Sequence, residues 1–253
     1  MKYLRTSDLA RAVGVHPNTV RRYVEWGMIP PVERSANGYR RFTQRHLDCL
    51  RLARLIFNCL YPGRSIHHSK MAVLKAIVAG DLGGGLELAY QHLAHVQAER
   101  AQADAAAGLL ERWAQGAPAD ATPRPLTIGA AARTLGVTID VLRNWDRNGL
   151  IDVPRDPHNG YRAYGAAEMS RLRVIRMLSR AGYSLAAILR MLTQLDRGER
   201  GDLRQALDTP RPDEDAFTAF DRWISTLTDQ ERIANEMIAL IEDMLQRAGP
   251  AHA

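Results

Sequence analysis

GVHPNTVRRYVEWGMIPPVERSANGYRRF, Gly14 to Phe42, recurs later in the chain as GVTIDVLRNWDRNGLIDVPRDPHNGYRAY, Gly136 to Tyr164. Each position of the first copy meets its counterpart 122 places on (136 minus 14, and equally 164 minus 42), with no gap in the sequence. Two copies in fixed register describe one supersecondary unit used twice. At the centre of each, Asn37 to Arg40 and Asn159 to Arg162, an Asn-Gly pair supplies the positive φ of a hairpin-like turn, followed by an aromatic and a guanidinium.

A helical pair precedes each turn. In the first copy Thr6 or Ser7 caps a short helix, Asp8 to Val13, with Leu9, Ala10 and Val13 on its apolar face. Gly14 breaks it, and Asn18 or Thr19 caps a second helix to about Trp26. Val20 with Tyr23 or Val24 faces inward, leaving Arg21, Arg22 and Glu25 outward. A short helix with paired exposed arginines suits a DNA major groove, although an arginine pair alone is as often a solvated face. Arg34, Tyr39, Arg40, Arg41 and Phe42 crowd the hairpin that follows. In the second copy helices cover Ile128 to Leu135 and, capped by Asp140 or Thr138, the stretch to Asn148, ahead of Arg155, Tyr161 and Arg162.

This order resembles the MerR family of bacterial transcription regulators: a helix-turn-helix ending in an Arg-aromatic-aromatic run, then Gly-Leu-hydrophobic, then a basic wing closing on Gly-Tyr-Arg-x-aromatic. The resemblance covers about 4 to 80 and 126 to 195. It implies a mainly α fold with two winged helix-turn-helix heads bearing small β-hairpin wings, each followed by a long coiled-coil-type helix. It carries DNA contact to Thr19, Arg21, Arg22, Tyr23, Arg34, Tyr39, Arg40 and Arg41 in the first head, and to Arg143, Asn144, Trp145, Arg147, Arg155, Tyr161 and Arg162 in the second. Arg22 faces Asn144 in register and Arg41 faces Ala163, so the heads are expected to bind unequally.

Domain boundaries follow: head one at 1–80, a long helix at 86–116, a linker at 117–125, head two at 126–196, and a second long helix at 214–248. Asp81, Leu82 and Gly83 to Gly85 read as a hinge. Asp196 to Asp213, polar and broken by Gly198, Gly201, Pro210 and Pro212, reads as a loop. A third and fourth helix complete head one, Gln44 to Cys59 and Lys70 to Ala79, and helices at Ala167 to Ala181 and Leu185 to Leu195 complete head two. The first long helix, Leu86 to Gln115, spans ~45 Å at ~1.5 Å per residue. The last keeps a three-four apolar spacing from Phe217 to Met244 that demands a partner.

Charge is arranged in blocks. Residues 1–80 hold fourteen Lys/Arg against four Asp/Glu and 126–200 twelve against seven, whereas 81–125 hold three against six and 201–253 five against eleven. Two polyanion-reading heads joined by non-reading segments produce that alternation within a net +6.

In the family, two chains dimerise through an antiparallel coiled coil of the helices after each head. Here the second head begins about ten residues after the first long helix, where a dimer partner's head would sit. An intramolecular pseudo-dimer is therefore favoured over a homodimer. The resemblance further implies double-stranded promoter DNA as partner, RNA polymerase through bending and untwisting of an imperfect inverted repeat, and room for a small-molecule effector. The alternatives are an architectural or excisionase-like DNA binder without effector, and one head serving protein interaction.

Other chemistries find little footing. Cys49 and Cys59 stand ten apart, about 80° short of sharing a helix face, and read as core thiols of a cytoplasmic protein. His67, His68, His92 and His95 offer four nitrogens for zinc but no further ligand type, and solvated or capping histidines are the stronger reading. No metal site, cofactor, catalytic set, phosphate-cradling loop or membrane span is expected. Tyr90, Trp113, Phe217, Phe220 and Trp223 are the residues that would line an effector pocket; as aromatics between coil and head they more simply read as core.

Overall fold

The computed structural model describes residues 3–59, 62–116, 124–199, 201–209 and 222–249. Eleven α-helices appear among these residues, and the chain divides into two compact units, Met1–Ala98 with Leu227–Ala253, and Glu99–Thr226.

In the first unit α1 (Thr6–Ala12) and α2 (Pro17–Glu25) form the helical pair. The Asp8 carboxylate accepts from the Arg5 backbone N–H at 2.8 Å, so the helix starts one residue before Ser7 and its cap lies upstream of the two hydroxyls expected to supply it. At α2 the cap is His16, whose Nδ1 accepts from the Asn18 N–H at 3.2 Å, and Pro17 takes the first helical position, where its missing N–H costs nothing. Gly14, at φ +65, makes the turn between them. Leu9, Val20 and Tyr23 join Phe42, Leu50, Leu52 and Leu74 in one apolar core.

Helices α3 (Gln44–Phe57) and α4 (Arg64–Ala79) follow. Then α5 (Leu82–Ala114) begins where a hinge was expected. Asp81 explains the difference: its Oδ1 accepts from the Gly84 N–H at 2.8 Å, capping the helix. Gly85 is there for packing, since a Cβ would lie 2.3 Å from Ile77 Cδ1. Helix α11 (Trp223–Ala248), from Leu227 onward, closes this unit against α5 and the head. Its Ile233, Met237, Ile241 and Met244 enter the same core. Tyr90 donates to Glu242 at 2.9 Å and Gln97 to Glu231 at 3.1 Å, so α5 and α11 run antiparallel here. Arg247 reaches the buried Asp48 carboxylate at 2.9 Å.

The second unit repeats the head with α6 (Ile128–Leu135), α7 (Ile139–Arg147), α8 (Ala166–Arg180) and α9 (Leu185–Asp196). Thr127, Thr138 and Ser184 cap three of these through their hydroxyls, so Asp140 is not the cap of α7. Within the stretch expected to be loop lies α10 (Leu203–Asp208). Asp202 caps it, Leu203, Ala206 and Leu207 bury its face, and Arg190 Nε donates to the Ala206 carbonyl at 2.6 Å. The later half of α5 packs here: Tyr183 donates to the Ala103 carbonyl at 3.2 Å, and Arg204 pairs with Asp104 and Glu111.

Candidate nucleic-acid interface

Each head presents one helix and one hairpin-like turn side by side. Leu4 pairs with Phe42, and Leu126 with Tyr164, through reciprocal backbone hydrogen bonds of 2.8 to 3.1 Å. Phe42 and Tyr164 are fully buried and anchor the turn to the helix pair, whereas the neighbouring Tyr39 and Tyr161 are 76% and 75% exposed. Alternation of side chains about an extended backbone produces that contrast.

The backbone departs from the constant sequence register inside this turn. Arg34 bridges Arg40, but in the second head it is Arg155, and not the Asp156 aligned with Arg34, that bridges Arg162. Arg41 N–H donates to the Glu33 carbonyl, whereas Ala163 donates to that of Pro154. One residue has thus moved from the approach into the turn, which is longer in head two. Arg34 and Arg155 then do the same work: each guanidinium donates to a turn carbonyl, Gly38 at 3.1 Å and Gly160 at 2.9 Å.

On the helices, Arg21, Arg22, Arg143 and Arg147 are exposed and Thr19 and Asn144 are half-buried. Arg21 donates to Asn18 Oδ1 at 3.0 Å, Arg143 pairs with Asp140 at 3.2 Å, and Arg22 lies over the exposed Trp26 ring at 4.7 Å. Asn144 Oδ1 accepts from Asn148 at 3.0 Å. Tyr23 and Trp145 are not surface residues. At 5% and 4% exposure they share the inward face with Val20 and Leu142, three positions earlier, and Tyr23 packs on Phe57 at 6.0 Å. The spacing of three puts them into the core and leaves their neighbours exposed.

Between helix and turn each head holds a groove, of about 680 Å³ in the first and 490 Å³ in the second. The first is lined by Arg5, Arg21, Arg40 and Arg41 with no acidic residue. The second is lined by Arg143, Arg155 and Arg162 together with Asp146 and Asp156. Arg162 is tied to Asp146 at 2.5 Å. Arg5 was not among the residues singled out from the sequence; Thr127 stands at its place in the second copy, and only the Leu4–Phe42 pairing carries it to the groove. Arg41 lies over the Tyr3 ring at 5.0 Å.

Three of the five aromatic residues considered for an effector pocket are described. Tyr90 is exposed in the first unit, while in the second Trp113 donates to Ser170 at 2.7 Å and the buried Trp223 to the Ala181 carbonyl at 2.8 Å. Phe217 and Phe220 lie outside the described residues. Among the described residues no group of three His, Cys, Asp or Glu is placed to hold a metal, and no helix is long and apolar enough to cross a membrane.

Known transcription regulators match parts of the chain. The mercuric resistance operon regulatory protein of Serratia marcescens is 38% identical over 73 residues, 29% of this chain and 50% of that protein. The HTH-type transcriptional regulator CueR of Escherichia coli is 43% identical over 51 residues, 20% of this chain and 38% of its own length. The HTH-type transcriptional repressor CarH of Myxococcus xanthus is 25% identical over 132 residues, 51% and 43% of the two chains. The chain thus spans about half the length or less of these relatives. No solved structure gives a significant match. The family model for MerR HTH regulatory proteins fits twice, at residues 4–65 and 126–195, just over half the chain, and the protein belongs to that family.

Proposed function

We propose that the chain is a sequence-specific regulator of transcription that binds double-stranded promoter DNA through both heads, with α2 and α7 in major grooves and the turns as wings on the flanking phosphates. The observation that carries this reading is the paired groove: in each head an exposed arginine on a short helix faces a hairpin-like turn bearing Tyr-Arg, with four arginines and no acid in the first. Phosphate contacts set register, and Arg21 and Arg143 reach base edges. Resemblance to the family adds an imperfect inverted repeat, bent and untwisted so that RNA polymerase engages both promoter elements, and the cytoplasm as the place of action.

A single chain per repeat is the favoured stoichiometry. Antiparallel hydrogen bonds between α5 and α11 of the same chain support it, because a helix satisfied by its own chain leaves less apolar seam for a second copy. The test is the solution mass, free and on an operator selected from random duplexes. One chain per inverted repeat supports the pseudo-dimer; two chains overturn it and leave four heads to be assigned. Failure to select any duplex overturns the DNA-binding reading itself.

A further inference from the structure

At the base of the first head Lys70 is fully buried. Its Nζ contacts the Cys59 sulfur at 3.1 Å and the Gln230 Oε1 at 3.2 Å, and among the described residues no carboxylate forms an ion pair with it. An ammonium without a carboxylate is an expensive group to bury, and a hydrophobic residue of similar length would fill this position at lower cost. The neighbouring polar groups are also unusual. The Ser69 hydroxyl donates to the Ile66 carbonyl at 3.0 Å, which leaves its oxygen to accept from His92 Nδ1 at 2.8 Å. That fixes the imidazole with its lone pair on Nε2, and among the described residues this buried nitrogen has no hydrogen-bond partner. Burial and the Lys70 charge hold His92 down to about 4, so it is neutral near pH 7.

The two thiols differ in kind. Cys49 is fully buried on α3, and burial pushes it up to about 12, which makes it inert. Cys59 lies just beyond the end of α3, partly exposed, with the amine of α4 against its sulfur. A small oxidant can reach the one and not the other.

We propose that Cys59 and Lys70 form an oxidation-driven covalent cross-link, a sulfenamide, with a hydroperoxide as co-reactant. The thiol takes oxygen from the peroxide to give Cys59 sulfenic acid and water (hydrogen peroxide is the reduced partner). The Lys70 ammonium gives up a proton to solvent and its nitrogen attacks the sulfur; the sulfur–oxygen bond breaks, and hydroxide leaves with a further amine proton as a second water. Net, the chain loses two hydrogens and gains one sulfur–nitrogen bond. Condensation of a sulfenic acid with nitrogen is established cysteine chemistry and is reversed by thiols. The bond ties the end of α3 to α4 and takes Lys70 away from Gln230 on α11.

The experiment is treatment of the full chain with hydrogen peroxide in slight excess, followed by intact mass and peptide mapping. Expected is a mass lower by two hydrogens, a peptide pair joined through residues 59 and 70, and recovery of the original mass with dithiothreitol. Cys49→Ser should keep the cross-link, which separates it from a disulfide of the same mass; Cys59→Ser and Lys70→Arg should abolish it. Wild-type Cys59 appearing only as a dimedone-trapped sulfenic acid or as the sulfinic acid, with no joined peptide, overturns the proposal. So does a joined peptide pairing residues 49 and 59. The wild-type map decides even if Lys70→Arg fails to fold.

Discussion

Arg162 and Asp146 form an ion pair at 2.5 Å across the groove of the second head. The first head has Arg40 and Val24 at the same two positions, and among the described residues no acid pairs with Arg40. The pair is partly exposed, so its own contribution to stability is small. Its effect is on what Arg162 is free to do: a guanidinium holding a carboxylate has fewer donors for a phosphate and carries no net charge to it.

Asp146→Val should therefore strengthen DNA binding through head two. Released, Arg162 adds about one phosphate contact, so the slope of log affinity against log salt should steepen by about one, with binding several-fold tighter at low salt. Arg40→Ala should flatten the slope by about one, and Arg162→Ala by less. Anisotropy titrations of a labelled operator at several salt concentrations read all three. Equal losses for Arg40→Ala and Arg162→Ala would remove the asymmetry.

Base reading is tested separately. Arg21→Ala and Arg143→Ala should each cost about 1 to 3 kcal/mol on the selected operator and little on random duplex, relaxing preference at one position of one half-site. A loss that is the same on both DNAs would instead make these arginines phosphate contacts.

His92 gives the first unit an acid-sensitive point. Its folded-state value of about 4 lies below the ordinary 6.5, so between those pH values the unfolded chain binds a proton that the folded chain refuses. Stability from this group is complete above pH 6.5 and falls as pH drops toward 4, by roughly 3 kcal/mol in all. His46 and His67 are also lowered by burial and act in the same direction. Urea unfolding at pH 7, 6 and 5 should show the decline, and His92→Gln should make it shallower by up to one proton. An unchanged slope would show that His92 ionises freely in the folded chain.

Gly182 should tolerate substitution far less than Gly198. Both have positive φ, +93 and +78, but a Cβ on Gly182 would lie 2.5 Å from Trp223 Nε1, whereas Gly198 faces open space. Gly198→Ala should cost about 1 kcal/mol and Gly182→Ala about 2 to 4, since the backbone strain is joined by a clash with a ring held to the Ala181 carbonyl. Thermal unfolding of the two variants measures the difference; equal shifts would mean that Trp223 gives way.

The repeat made the heads readable, because helix pairs and turn glycines follow from local pattern, while the burial of Phe42 and Tyr164 comes from their pairing with Leu4 and Leu126. What escaped was set by contacts distant in sequence or by caps outside the usual residue types. Gly83 to Gly85 carry the composition of a hinge, and only Asp81 and the close approach of Ile77 make them helix. His16 is a rare cap. The one-residue shift that puts Arg155 in the role of Arg34 is invisible in a gapless alignment, since it cancels before Tyr164. Arg5 reaches the groove only through strand pairing with Phe42.

The hold of α11 on head one can be measured at Asp48 and Arg247, 199 residues apart in the chain. The Asp48 side chain is 2% exposed and accepts from Arg247 at 2.9 Å and Gln44 at 3.0 Å. Removing Arg247 leaves a buried carboxylate short of its best partner, and Arg247→Ala should cost about 1 to 3 kcal/mol. Asp48→Asn keeps the shape and removes the charge, so the same truncation made in that background should cost much less. A double-mutant cycle read by urea unfolding gives the coupling directly. A coupling near zero would mean that Asp243, which also holds Arg247 at 2.7 Å, takes nearly all of the guanidinium's interaction, and that the apolar face of α11 and its other hydrogen bonds keep it in place.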